Sequence, residues 1–131
     1  EMRFSYRHSV LEDIGGIVIS TVFKLTQKPS EEIKATMKDL MSRRSASQPL
    51  DKPSAGSAFK RPVGGYAAAL IDQTGLKGFR VGGAAISEKH AGFAVNLGGA
   101  TAADVQELLR QVSDQVFEST GIRLEPEVRI W

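Results

Sequence analysis

The sequence predicts an α+β fold: a small mixed sheet with helices packed on it, preceded by two strands. Three observations carry this expectation. Residues 2–7 and 17–25 carry apolar side chains at every second position, later stretches space their apolar residues as helices do, and short apolar runs lie among those helices. Strands first, then helices mixed with short strands, is the element order of an α+β domain.

Each element follows from its residues. Met2, Phe4 and Tyr6 alternate with Arg3, Ser5 and Arg7, the period of a half-buried strand. The chain thus opens inside a periodic element, and it is expected to be cut from something longer. After Gly15-Gly16 a second strand is expected over 17–25, with Ile17, Ile19, Thr21, Phe23 and Leu25 on one face. The two could pair as a hairpin. Pro29-Ser30-Glu31-Glu32 then starts a helix: Ser30 can cap its free N–H groups, and the glutamates suit the positive end of its dipole. Ile33, Met37, Leu40 and Met41 recur at helical spacing and predict one buried stripe. Arg43 and Arg44 suit the negative end, and dipole pairing alone would account for them.

From 45 to 65 the periodicity disappears among Pro49, Pro53, Pro62, Gly56, Gly64 and Gly65. A run of this length without structure is uncommon inside a compact domain and is usually functional or disordered. Leu50 and Phe59 give it something to pack, so an ordered functional loop is expected. A short helix over 66–74, ended by Gly75, is followed by strands near 83–87 and 92–96, with the polar turn Glu88-Lys89-His90 between them. The best-signalled helix spans 101–119. Thr101 and Asp104 fit a capping box, Val105, Leu108, Leu109, Val112, Val116 and Phe117 form its apolar face, and Gly121 closes it. Val128 to Trp131 is expected to finish as a strand.

Composition sets limits. A chain of 131 residues suits one domain, and 41% hydrophobic with 24% charged residues is ordinary for a globular protein. No apolar run approaches the ~20 residues that span a bilayer, and no basic-then-apolar leader is present, so no membrane partner and a cytoplasmic location are expected. The absence of cysteine excludes disulfides, thiolate catalysis and cysteine-ligated zinc. With only His8 and His90 as imidazoles, no metal site is expected. The net charge of +2 says little about partners. Neither G-x-G-x-x-G nor a P-loop motif occurs, and close backbone packing accounts for Gly82-Gly83.

Two segments are left that could carry chemistry. At 54–62, SAGSAFKRP places a hydroxyl among very small residues with Lys60 and Arg61 close behind. Small neighbours admit a bulky ligand, and the cations could neutralise phosphate or carboxylate; a plain polar surface loop is the alternative. At 124–130, LEPEVRI sets two carboxylates around a proline that favours an edge strand or a strand start. Glu127 and Arg129 could face either solvent or a cleft.

These two segments resemble the UDP-N-acetylenolpyruvoylglucosamine reductase family of bacterial peptidoglycan precursor synthesis. FSYRHS at 4–9, QPL at 48–50, GLKGFRVGG at 75–83 and SEKHAGFAVN at 87–96 match in order and spacing over essentially the whole chain. Members of that family are flavoproteins at least about twice this length. The resemblance therefore implies that residues 1–27 end a truncated FAD-binding domain and that 28–131 form the C-terminal substrate-binding domain, in the shorter subclass that lacks a tyrosine loop over the substrate. It implies NADPH as hydride donor, bacterial cytoplasm as location, and UDP-N-acetylglucosamine enolpyruvate as the substrate that is reduced to UDP-N-acetylmuramate. FAD is not expected on this chain, and the missing FAD-binding domain of the same polypeptide is the implied partner.

Three catalytic positions are implied residue by residue. Arg7 would hold the carboxylate and its enolate, Ser57 would donate the proton to carbon, and Glu127 would assist as an acid at the carboxylate. Burial would keep such a carboxyl protonated, and a cation such as Lys60 would make the serine a better acid. Tyr6, Arg44, Gln48, Lys60, Arg61, His90 and Asn96 are the implied substrate contacts. His90 stands where some relatives have glutamine. Arg61 stands where many have asparagine, which points to a phosphate contact instead. A UDP-sugar-binding module without redox chemistry is the alternative, but simple binding needs no proton donor. A nucleic-acid domain using Arg43, Arg44, Lys52, Lys60 and Arg61 is disfavoured, because aromatics make up 7% and are not interleaved with that basic run.

Overall fold

The computed structural model describes residues 2–6 and 8–130 and divides into two compact units, 1–34 and 35–131. In the first unit, helix α1 (Val10–Ile14) is closed by Gly15 in the left-handed conformation at φ 63°. His8 Nδ1 lies 2.9 Å from Glu12 Oε2, and that hydrogen bond, with the nearby Asp13 charge, raises the imidazole pKa.

The two expected N-terminal strands do not form among the described residues. Residues 2–6 contribute a single bridge, Ser5 to His8, and 16–29 carry no regular element. The period-two face is present but has no ladder: Ile17, Ile19 and Phe23 are 88%, 96% and 77% exposed. A strand exists only when a neighbour accepts its hydrogen bonds, and no described residue pairs with this segment.

Helix α2 (Ser30–Ser47) begins with Glu31 and Glu32 and ends with Arg44 in its last turn, as the charge pattern predicts. Its stripe is a correction to expectation: Ile33, Met37, Leu40 and Met41 are all exposed, and α2 has no buried residue. The spacing forms the helix but supplies no cover for it.

The second unit holds a four-stranded sheet ordered β1-β4-β3-β2, formed by β1 (Ser54–Ser57), β2 (Arg80–Val81), β3 (Ala84–Ile86) and β4 (Phe93–Asn96). The α+β class holds, but every pairing is antiparallel where a mixed sheet was expected. Short turns join β2 to β3 and β3 to β4, which antiparallel strands permit and parallel ones do not, while β1 meets β4 only after the chain has passed through 58–92. β1 and β2 arise in stretches without strand periodicity. The tail forms no strand after Val128 among the described residues, only a bridge from Pro126 to Phe59.

Helices α3 (Ala67–Gln73) and α4 (Ala102–Thr120) join the sheet in one core. Ile71, Ile86, Leu108, Leu109, Val112 and Val116 are fully buried there, with Phe59 and Leu124 beside them. Ala84 and Ile86 belong to this core, whereas Ala85 and its partner Val95 turn to the opposite face. No helix among the described residues is long and apolar enough to cross a membrane.

The predicted capping box on α4 is complete: the Asp104 N–H donates to Thr101 Oγ1 at 3.1 Å, and the Thr101 N–H donates to Asp104 Oδ2 at 2.8 Å. Hydrogen bonds to the carboxylate, from the Thr101 N–H first and then the Thr101 side chain, hold the Asp104 carboxyl below its ordinary value. Thr101→Ala is expected to cost about 1 kcal/mol, seen as a fall of a few degrees in melting temperature. A lowered folded pKa contributes stability above the unfolded value, and that contribution is lost as pH falls through the folded one. The gap in melting temperature between wild type and Asp104→Asn should therefore narrow as the pH drops below 3.8.

Candidate functional site

The two chemistry-bearing segments lie side by side. Lys60 N–H donates to Glu125 O at 2.8 Å, and Glu127 N–H donates to Ala58 O at 2.9 Å, on either side of the Phe59–Pro126 bridge. This leaves Phe59 and Pro126 as the pair that exchanges no hydrogen bond, the one place in an antiparallel ladder where proline's missing N–H costs nothing. The buried Phe59 and Leu124 anchor both segments in the core. Ser113 Oγ adds a third tie, donating to Leu124 O at 2.8 Å.

Ser57 ends β1 and is exposed. Just before it the register slips by one residue: Ser54 faces Val95 and Ser57 faces Phe93. Gly56 lies inside the slip at φ 90°, a conformation that glycine adopts without Cβ strain. Such a bulge bends the strand and re-aims the side chain that follows it. The neighbours of Ser57, Gly56 and Ala58, line a cavity of about 390 Å³ together with Ser54, Asn96 and Val128.

Glu127 is half-buried, and its Oε2 is shielded from solvent. Lys60 forms an ion pair with Glu125, so its ammonium is held by the tail rather than directed at a hydroxyl. Arg61 lies over the Tyr66 ring, 4.0 Å from guanidinium carbon to ring centroid, and its Nε donates to Gly65 O at 3.3 Å.

His90 connects to the same place through the backbone. Its Nδ1 accepts from Gly92 N–H at 3.0 Å, and Gly92 O accepts from Ala58 N–H at 2.8 Å. Its ring meets Phe93 edge-on, with centroids 5.0 Å apart. Ser87 Oγ accepts from the N–H groups of Lys89 and His90 and shapes the turn. Asn96 Oδ1 accepts from Gly98 N–H at 2.8 Å and Ala100 N–H at 3.2 Å, so this oxygen builds the loop before α4.

Arg44 and Gln48 meet each other at the end of α2, Nε to Oε1 at 3.1 Å. Lys89 Nζ donates to Ser45 O and ties this helix end to the turn that carries His90. Between them opens a cavity of about 500 Å³ on the Ala85–Val95 face of the sheet, lined also by Leu50, Lys52, Arg80 and Glu88. Asp51 at its rim is held below its ordinary pKa, chiefly by the hydrogen bond from Lys52.

The structure thus brings together the segments of Ser57, Lys60, Arg61, His90 and Glu127, and pairs Arg44 with Gln48. Tyr6 is exposed in the first unit, and Arg7 lies outside the described residues. Glu125, Tyr66 and Lys89 carry contacts that sequence reasoning did not assign. Glu125 was visible as the first carboxylate of the tail; Tyr66 and Lys89 gave no signal beyond a helix start and a polar turn.

Fold and site define a small α+β domain that gathers a hydroxyl, carboxylates and cations on two paired segments at the edge of a four-stranded sheet. The chain belongs to the UDP-N-acetylenolpyruvoylglucosamine reductase C-terminal domain family, which matches residues 48–131. It is 51% identical over 130 residues to the UDP-N-acetylenolpyruvoylglucosamine reductase of Agathobacter rectalis, covering 99% of this chain and 41% of that protein. The reductase of Caldanaerobacter subterraneus is 49% identical, with 99% and 43% covered. Among solved structures, the UDP-N-acetylenolpyruvylglucosamine reductase of Thermus caldophilus superposes with a TM-score of 0.77 at 46% identity, over 98% of this chain and 46% of that one. The chain spans less than half the length of these relatives.

Proposed function

We propose that this chain is the substrate-binding part of a UDP-N-acetylenolpyruvoylglucosamine reductase and that it binds UDP-N-acetylglucosamine enolpyruvate. The observation that carries this reading is the pairing of 58–60 with 125–127, which sets the Ser57 hydroxyl segment beside the Glu127 carboxylate segment in a member of that family.

The reaction adds hydride and a proton across the enolpyruvyl double bond. FAD, when bound by the part of the polypeptide this chain does not span, supplies hydride that originates in NADPH. No FAD is assigned to residues of this chain. Its own residues serve the substrate. Ser57 gives its proton to the substrate carbon that becomes carbanionic and recovers one from solvent, so the oxygen ends as it began. Gly56 admits the ligand because no side chain stands in the way, and nothing lies within 4 Å of where its Cβ would be. Glu127, half-buried with one oxygen shielded from solvent, is assigned by resemblance to assist where charge gathers on the substrate carboxylate. Arg7 is assigned the same carboxylate by resemblance alone. Arg44, Gln48 and Lys60 are assigned to the diphosphate and sugar, with Arg61 as a further phosphate contact, and Tyr6, His90 and Asn96 to the remaining contacts. The location that goes with this reading is the bacterial cytoplasm.

Calorimetric titration of the chain with UDP-N-acetylglucosamine enolpyruvate, at low and moderate salt, tests it. Saturable binding that persists at moderate salt is expected, because a shaped site does not rest on screened charge alone. Heat that never saturates, or binding that vanishes on adding salt, overturns the reading.

A further inference from the structure

We propose that Tyr66 is a positioning residue that holds the Arg61 guanidinium ready for the diphosphate of the ligand. The inference rests on the substrate class proposed above and names a residue to which that reading gives no part. Arg61 and Tyr66 are five residues apart in sequence and meet only because the chain reverses between them, in a turn at Val63 and Gly64. Gly64 makes the reversal at φ 83°, in the left-handed region that glycine occupies readily. The turn stands clear of the core: Val63 is 98% exposed and Tyr66 is 61% exposed. A tyrosine so little buried contributes little packing, so its contact with Arg61 calls for another account.

The geometry gives one. The Arg61 guanidinium carbon lies over the Tyr66 ring, 4.0 Å from its centroid, and Nε–H donates to the Gly65 carbonyl. Both terminal nitrogens, Nη1 and Nη2, make no hydrogen bond or ion pair among the described residues. The neighbouring cation differs in this respect, since Lys60 is already neutralised by Glu125. Arg61 therefore combines a fixed plane, one satisfied edge and one open edge carrying two parallel N–H groups. That open fork matches two oxygens of a phosphate. An unrestrained arginine would lose rotamer freedom on binding, and the ring has already removed much of it.

The test is titration of the chain and its variants with UDP-N-acetylglucosamine enolpyruvate, and in parallel with UDP-N-acetylglucosamine, which keeps the diphosphate and lacks the carboxylate. Tyr66→Ala is expected to weaken both ligands roughly 2- to 5-fold, the size of an exposed cation–π contact. Tyr66→Phe should bind as wild type, since the ring face is kept. In an Arg61→Ala background, Tyr66→Ala should have no further effect. Unchanged melting temperatures confirm that the variants are folded. If wild type binds and Tyr66→Ala binds equally well, or the two substitutions simply add, the positioning role is wrong while the substrate reading stands. A loss seen only with the enolpyruvate overturns the assignment to diphosphate. Failure of wild type to bind either ligand removes the substrate reading and this inference with it.

Discussion

On the function proposed above, Ser57→Ala in a full-length reductase containing this chain is expected to slow substrate reduction by about 10²- to 10⁴-fold, the usual contribution of a positioned proton donor, while leaving flavin reduction by NADPH unchanged. The two half-reactions separate because only one requires a proton at the substrate carbon. Removing the hydroxyl leaves the backbone that aims it in place. The bulge at Gly56, the pairing of Ser57 with Phe93 and the bond from Ala58 N–H to Gly92 O involve no side-chain oxygen of Ser57. Ser57 is exposed, so the substitution creates no buried void. Affinity for substrate should change little. Stopped-flow measurement of each half-reaction decides the matter, and an equal effect on both would exclude Ser57 as the proton donor.

The sequence announced some parts of this molecule and concealed others for physical reasons. Helix α4 was legible because its apolar spacing, the Thr101–Asp104 box and Gly121 all give the same answer, and the closing glycine adopts φ 73° as such a stop requires. Strand β1 was not legible. Ser-Ala-Gly-Ser has no alternation and no branched side chain, and it is extended because the edge of β4 offers it a ladder. On α2 and over 17–25 the periodicity was visible, but what covers an apolar face is a property of the partner and cannot be read from the face itself. At the site, sequence order placed Lys60 near a hydroxyl, whereas a residue far along the chain, Glu125, holds its ammonium. Asn96 is expected as a ligand contact, and nothing in its own segment shows that its side-chain oxygen also holds the N–H groups of Gly98 and Ala100. Long-range pairings of this kind depend on register, which no single segment encodes.

Gly83→Ala is expected to cost stability at or above the upper end of ~1–3 kcal/mol, lowering the melting temperature by something on the order of 10 °C. The reason lies in what a methyl group would meet. A Cβ on Gly83 would sit 2.5 Å from Ala100 N, 2.7 Å from Ala100 Cα and 2.8 Å from Gly98 O. All three are backbone atoms, so no rotamer change relieves the overlap. Nor can the loop drift away freely. Asn96 Oδ1 holds Gly98 N–H and Ala100 N–H from one side, and Leu97 N–H donates to Gly83 O at 2.9 Å from the other. Gly82 tolerates more, because its Cβ would meet only the Asp104 side chain; there the cost falls on the α4 cap and on a φ of 53°. Gly65→Ala is the control, since nothing lies within 4 Å of its Cβ position and its φ is outside the left-handed region; it should be neutral or slightly stabilising. Thermal unfolding of the three variants separates close packing from glycine loss in general. A Gly83→Ala variant that melts with wild type would mean that the loop between β4 and α4 is held less tightly than these contacts require.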